Sequence, residues 1–201
     1  MTNRSVEKSM SPRTKEQLEE LKKKRRVTIL TAALKVFSES GYRGATVNMI
    51  ALEAGVSKGL LYTYFESKEA LLENLLSYGL SQVDKYKAFI PEKGISTKED
   101  FGTVLKEIVG FYTKENDFWR LYISVILQQD VSEKFVKMTQ GFIEEYLSIF
   151  VAYFQKKKVD NPMAEALLLG SMLDGIMFGM VMAPGMYPLD DIIQLMIKKF
   201  G

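Results

Sequence analysis

The sequence predicts an all-α protein, with an N-terminal three-helix domain and a larger C-terminal helical domain, about nine helices together. Three observations lead there. Apolar residues recur at helical spacing in almost every segment, and no run alternates as a strand would. Capping residues and glycine or proline breakers punctuate the chain at helix-length intervals. Around residues 46–65 two segments are each too short to be stable as isolated helices, so they must pack on longer neighbours.

The first helix is expected over Lys15–Glu39, where Val27, Leu30, Ala33, Leu34 and Phe37 make an i, i+3, i+4, i+7 stripe. Gly41 stops it. Thr46 caps a second helix, Val47–Ala54, with Ile50 and Ala51 facing inward. Gly55 ends that helix, and Ser57 caps a third running through Phe65. Ser67 caps a fourth, with Glu69 in the first turn where the helix dipole favours a negative charge. That helix carries Leu71, Leu72, Leu75, Leu76, Leu80 and Val83. Pro91-Glu92-Lys93-Gly94 is the clearest linker. Five helices follow, at about Thr97–Lys114, Asp117–Gln129, Val131–Lys157, Pro162–Met182 and Leu189–Lys199. Asn161-Pro162 suits a helix start with proline at the first helical position. The chain thus divides into a flexible basic tail (1–22), a helix-turn-helix domain (23–70) and a second domain (71–201).

Composition limits the chemistry. The 201 residues include no His and no Cys. That removes thiol nucleophiles, disulfides, the Ser-His-Asp triad and most zinc sites. Carboxylate chemistry stays open in principle, but no carboxylate pair or metal-ligand cluster stands out, and no metal or cofactor is expected. The N-terminus is polar, with no signal-peptide stretch. The most apolar window, Met163 to Ala183, contains Glu165 and a central Asp174. A central carboxylate costs roughly 2.5–3.5 kcal/mol on an insertion scale, so a buried helix is expected rather than a membrane span.

The net charge of +2 conceals an asymmetry. Residues 1–70 carry 13 Lys+Arg against 8 Asp+Glu, net +5, and residues 71–201 carry 14 against 17, net −3. On charge alone an anion-binding module and a solvated basic tail, centred on the run Lys22 to Arg26, are equally good readings.

The stretch T46-V-N-M-I-A-L-E-A-G55-V-S-K-G-L-L-Y-T-Y-F65 decides between them. Two short helices joined by a tight turn at Gly55 and buttressed by longer helices make a helix-turn-helix, whose second helix enters the major groove of DNA. Ser57, Lys58 and Gly59 sit at its N-terminus, where free amides and the dipole favour phosphate. Lys58 can reach a guanine edge or a phosphate. Gly59 costs roughly 1 kcal/mol in a helix relative to Ala, and close approach to DNA would explain it. Tyr62 and Tyr64 offer hydroxyls and ring faces, Lys68 is placed for phosphate, and Arg43 is a further candidate. Leu61 and Phe65 are read as core.

The stretch from Ile29 through I50-A-L-E-A-G-V-S-K-G-L-L-Y-T-Y-F-E-S-K-E-A-L-L72 resembles the TetR/AcrR family of bacterial transcriptional regulators. The resemblance implies an all-α homodimer with an N-terminal DNA-binding domain and a C-terminal ligand-binding and dimerisation domain. It places DNA contacts on Thr46, Asn48, Ser57, Lys58, Gly59, Tyr62, Thr63, Tyr64 and Lys68. Three positions depart from the family pattern: Ala45, Leu60 and Thr63, where Thr, Thr and His or Tyr are common.

In the second half, Ser171, Gly175 and Gly179 recur at i, i+4, i+8, and small residues at that spacing let another backbone approach. With the apolar terminal helix (Ile192, Leu195, Met196) they are expected to form the dimer interface, the alternative being packing within the chain. Aromatics concentrate between Phe101 and Phe154, and seven of the 11 Met lie between Met163 and Met196. Such a surface suits a hydrophobic ligand or planar cation, with Trp119, Tyr122, Tyr146, Asp174 and Met177 as candidate contacts.

The expected function is a cytoplasmic, nucleoid-associated, dimeric regulator. It would bind a palindromic operator on double-stranded DNA, as a repressor released by a small hydrophobic or cationic inducer. The alternative is a ligand-independent DNA-associated structural or assembly protein using the same dimer. An all-α enzyme is the third reading, and it lacks a catalytic constellation.

Overall fold

In the computed structural model residues 14–127 and 133–201 are described, apart from the side chains of residues 83–86 and 135. Those residues form nine α-helices and no strand. Residues 1–13 of the expected tail, the Val83 side chain, and residues 128–132, where the sixth helix is expected to end and the seventh to begin, lie outside them.

Helix α1 (Lys15–Gly44) opens on a capping box between Thr14 and Gln17, so residues 15–22, grouped by the sequence with the tail, are helical. Gly41 adopts φ 67°, which breaks the helix where the sequence expects, and one further turn follows to Gly44. Helix α2 (Val47–Glu53) is capped by Thr46, whose hydroxyl accepts from the Met49 amide at 3.2 Å. Helix α3 (Lys58–Tyr64) is capped by Ser57, which accepts from the Leu60 amide at 3.1 Å. Helix α4 (Lys68–Lys87) begins with the Ser67 hydroxyl accepting from Ala70 at 3.0 Å. Helices α5 (Lys98–Lys114), α6 (Asn116–Ile126), α7 (Glu133–Lys156), α8 (Pro162–Met182) and α9 (Leu189–Phe200) complete the chain. Thr97 and Asp100 form the capping box of α5, and Asn161 caps α8 ahead of Pro162.

The core falls into two apolar clusters. One joins the inner faces of α1–α4 to Phe111, to α6 and to Met177 and Val181 of α8. The other joins α5, α7, α8 and α9 around Phe101, Phe154 and Leu169. The first cluster crosses the expected domain boundary at residue 70. Leu71, Leu72, Leu75, Leu76 and Leu80 on α4 pack with the helix-turn-helix and with α6 alike, so a shift of α6 is felt by the N-terminal helices through shared side chains.

Helix α8 corrects the expectation of a buried helix. Ala166, Leu169, Leu173 and Ile176 pack inward, but Leu168, Phe178 and Met182 are exposed on the opposite side. By length and composition α8 could cross a membrane; in this fold one of its faces is part of the core.

Candidate nucleic-acid interface and ligand cavity

The helix-turn-helix is held from behind. Leu61 of α3 and Phe65 at its C-terminal cap are buried, as are Ile50 and Ala51 of α2. The turn is closed by amide hydrogen bonds from Gly55 to Leu52 O (3.1 Å) and from Val56 to Ala51 O (2.9 Å). With the inner faces fixed, Lys58, Gly59, Tyr62 and Thr63 are exposed on α3, as are Arg43, Thr46, Asn48 and Ser57. Tyr64 is half-buried against the core. A Cβ built on Gly59 meets nothing within 4 Å, so packing inside the chain gives no reason for glycine there.

Lys68 has a job that the sequence reading did not anticipate. Its ammonium donates to the carbonyls of Tyr42 (2.9 Å) and Ala45 (3.0 Å) and lies 4.5 Å from the Tyr42 ring centroid. It therefore ties the kinked end of α1 to the start of α4. The Tyr42 hydroxyl donates to Glu69 at 3.0 Å. Burial first, then that hydrogen bond, pushes the Tyr42 pKa up to about 12.

The basic run at 22–26 also divides by role. Lys22 and Lys24 pair with Glu19 and Glu20 on the exposed face of α1, each at 2.8 Å. Arg26 points inward: its guanidinium lies 4.6 Å over the Phe65 ring and donates to Asn74 Oδ1 (2.5 Å) and Tyr64 O (3.4 Å). It joins α1 to the end of α3 and to α4. The run of like charge hides this in the sequence; only helical phase relative to Leu30 and Ala33 hints at it.

Behind this module, α5, α6, α7 and α8 line a cavity of about 160 Å³ that opens beside the exposed Ile143 and Leu167. Six aromatic side chains line it: Phe111, Tyr112, Trp119, Phe142, Tyr146 and Phe150. Of the candidates read from sequence it gathers Trp119, Tyr146 and Asp174, together with Ser171, which the sequence assigns to an interface. Tyr122 and Met177 are corrections: both are buried in the first cluster and neither lines the cavity. Tyr122 instead packs edge-on against Trp119, their centroids 5.4 Å apart. The Trp119 indole is buried and its Nε1–H has no acceptor among the described residues; an unsatisfied buried donor costs about 1–3 kcal/mol. Asp174 is exposed as a residue, yet its carboxyl stands among apolar neighbours, and that desolvation raises its pKa above the ordinary carboxylate value. The Tyr112 hydroxyl is pushed up too, by burial and secondarily by the Asp174 charge.

The expected interface residues separate into two groups. Ser171, Gly175 and Leu195 are exposed and Ile192 is half-buried. Met196 is 1% exposed, within the second cluster. Gly179 is also buried, and a Cβ there would overlap the Tyr187 hydroxyl of the same chain. Both therefore serve packing inside the chain. Leu168, Phe178 and Met182, exposed on α8, complete with Ser171 and Gly175 a 3–4–3–4 spacing, the seam of a helix–helix contact. The sequence shows that spacing but, because α8 is apolar on both faces, not which face is free.

Two short helices joined by a glycine turn, braced by α1 and α4 and set on an α-helical body with an apolar cavity, define a helix-turn-helix DNA-binding protein. Residues 29–75 match the family model described as bacterial regulatory proteins, tetR family. The N-terminal module of the chain thus has the sequence pattern of that family. It is 28% identical to the HTH-type transcriptional regulator YuxN of Bacillus subtilis (strain 168) over 138 residues, 67% of this chain and 47% of that protein; the chain thus matches about half the length of that relative. It is 24% identical to the fatty acid metabolism regulator protein of the same organism, over 77% of this chain and 74% of that protein. Among solved structures, the fatty acid degradation regulator FadR of Bacillus halodurans superposes with TM-score 0.73 at 20% identity, covering 88% of this chain and 94% of that one. FadR of Bacillus subtilis, in complex with stearoyl-CoA, gives TM-score 0.73 at 20% identity, covering 87% and 95%. At that identity the two structures speak for the fold alone.

Proposed function

We propose that the protein is a dimeric transcriptional repressor that leaves its operator when a small apolar molecule enters the α5–α8 cavity. Helix α3 lies in the major groove, with Ser57, Lys58 and Gly59 at the phosphates and base edges and Tyr62 and Thr63 beyond them. Thr46, Asn48 and Arg43 contact the flanking backbone, and Tyr64 takes part from its half-buried position. The observation that carries this reading is the exposed Lys58–Thr63 face of α3, whose opposite side is locked by Leu61 and Phe65.

Two copies meet through the outer faces of α8 and α9, at Leu168, Ser171, Gly175, Phe178, Met182 and Leu195. A two-fold dimer reads a palindrome, with half-site centres roughly one helical turn or a multiple apart. The protein works in the cytoplasm, at the nucleoid, without a cofactor. The cavity ligand acts by preferring the conformation in which the two recognition helices do not match adjacent grooves. The ligand of the Bacillus subtilis FadR structure, stearoyl-CoA, is one inducer class to test.

The experiment is selection of bound fragments from a random DNA pool, repeated with candidate inducers. Enrichment of an inverted repeat, lost when an inducer is added, is the expected result. An enriched repeat that no ligand releases would favour a ligand-independent DNA-associated protein. No enriched sequence would overturn the regulator reading.

A further inference from the structure

We propose that the α5–α8 cavity takes a small lipophilic cation, an amine or quaternary ammonium on a single-ring apolar body, with its cationic head at Asp174 and its ring against Trp119. The proposal rests on the reading of this cavity as the inducer site and names the chemistry that would fill it.

Charge gives the first argument. Among the described residues, Asp174 is the one ionisable acid or base lining the cavity apart from two tyrosines, and no Lys or Arg lines it. A phosphate or carboxylate ligand would meet no cation there and would face the Asp174 carboxylate. An uncharged ligand would bury that carboxylate further without compensating it, which is unfavourable. A cation does the reverse, and the six surrounding rings present π faces that attract it.

The second argument is size. The cavity of about 160 Å³ is close to one of roughly 150 Å³ that accepts benzene. One ring fits inside, and the exposed Ile143, Leu167 and Asp174 at the edge leave the cavity open for the ring's substituents.

The third is the fixed aromatic wall. Trp119, on α6, lines the cavity, and its ring is held edge-on by Phe111 and Tyr112, with centroids 5.4 and 5.1 Å away. A ring held in this way keeps its place as a packing partner for the ligand's ring. Trp119 and Asp174 stand on different helices, α6 and α8, which fixes the ligand's direction as well as its class.

The test uses the full chain and isothermal calorimetry with four probes. These are 4-methoxybenzyltrimethylammonium, its uncharged isostere 4-neopentylanisole, benzyltrimethylammonium without the methoxy oxygen, and octyl phosphate. The methoxy cation should bind at least about tenfold more tightly than its uncharged isostere. Asp174→Asn should remove that preference while leaving 4-neopentylanisole affinity unchanged. Trp119→Leu removes the aromatic wall and should weaken both cations severalfold. Melting temperature and sedimentation of both variants report intact fold and assembly. Equal binding of cation and isostere, an Asp174→Asn protein that binds the cation as well as before, or tightest binding by octyl phosphate would overturn the proposal. Operator binding by the ligand-free protein is measured separately, so a failed regulator reading is distinguished from a wrong ligand class.

Discussion

The ring of Phe118 on α6 lies in a notch on α4 that exists because residue 79 is glycine: a Cβ on Gly79 would overlap three atoms of that ring. Phe118 directly precedes Trp119, which lines the cavity. Neighbouring residues of one helix thus touch the ligand space on one side and, on the other, the helix that follows α3. This is a short physical link between cavity and DNA-binding module, built from packed side chains that cannot deform continuously.

Replacing Gly79 by Ala tests the link. Helix propensity favours Ala by about 1 kcal/mol, but overpacking against a buried ring costs about 1–3 kcal/mol, so net destabilisation is expected. Urea denaturation should show it, and operator release by inducer should be altered. A stabilised variant with an unchanged inducer response would mean that Phe118 yields easily and carries no coupling.

Lys58 and Lys68 should behave differently, although both are lysines near the same helix. Lys58→Ala should leave the melting temperature unchanged and weaken operator binding by roughly 1–3 kcal/mol if it reads a base, or lower the salt slope by about one if it meets a phosphate. Lys68→Met removes the donor to Tyr42 O and Ala45 O. It should lower stability by about 1–3 kcal/mol with little change in salt slope. Titrations of operator DNA at several salt concentrations, alongside thermal melts, separate the two roles.

The Tyr42–Glu69 pair predicts alkaline behaviour. Burial, and then the hydrogen bond to Glu69, push the Tyr42 hydroxyl up to about 12 in the folded protein, above the ordinary tyrosine value of 10.0. Its contribution to stability is therefore complete below pH 10 and disappears as pH rises through 12. The difference in stability between wild type and Tyr42→Phe should shrink over that window. A difference independent of pH would show that neither burial nor Glu69 raises the hydroxyl's pKa.

On α8, Phe178→Asp places a charge in the proposed seam and should shift the protein to monomers in sedimentation, with operator affinity falling as the dimer is lost. The residue is 46% exposed in the single chain, so helicity should persist. A dimer of full strength would move the interface elsewhere.

What could be read from the sequence follows the range of the physics. Thr46, Ser57, Thr97 and Asn161 mark helix starts because capping is settled within three residues, and each cap is present. The inward positions Ile50, Leu61 and Phe65 follow from helical phase. Phase fails where a helix is apolar all round, as in α8. It also fails to separate residues one turn apart, so Trp119 lines the cavity while Tyr122 packs behind it. Leu195 and Met196 differ in fate, outward and inward, through packing against distant parts of the chain. The roles of Arg26, Lys68 and Gly79 depend on partners more than 20 residues away, and no local pattern encodes those.

The central claim is that one chain both reads DNA and answers to a ligand. Its most direct test is fluorescence anisotropy of a labelled operator, taken from the selected pool, titrated with protein in the absence and presence of 4-methoxybenzyltrimethylammonium. The account predicts sequence-selective binding with dimer stoichiometry, weakened at least about tenfold by the ligand. Binding that does not distinguish the operator from random DNA, or is unmoved when calorimetry shows the cavity filled, would contradict it.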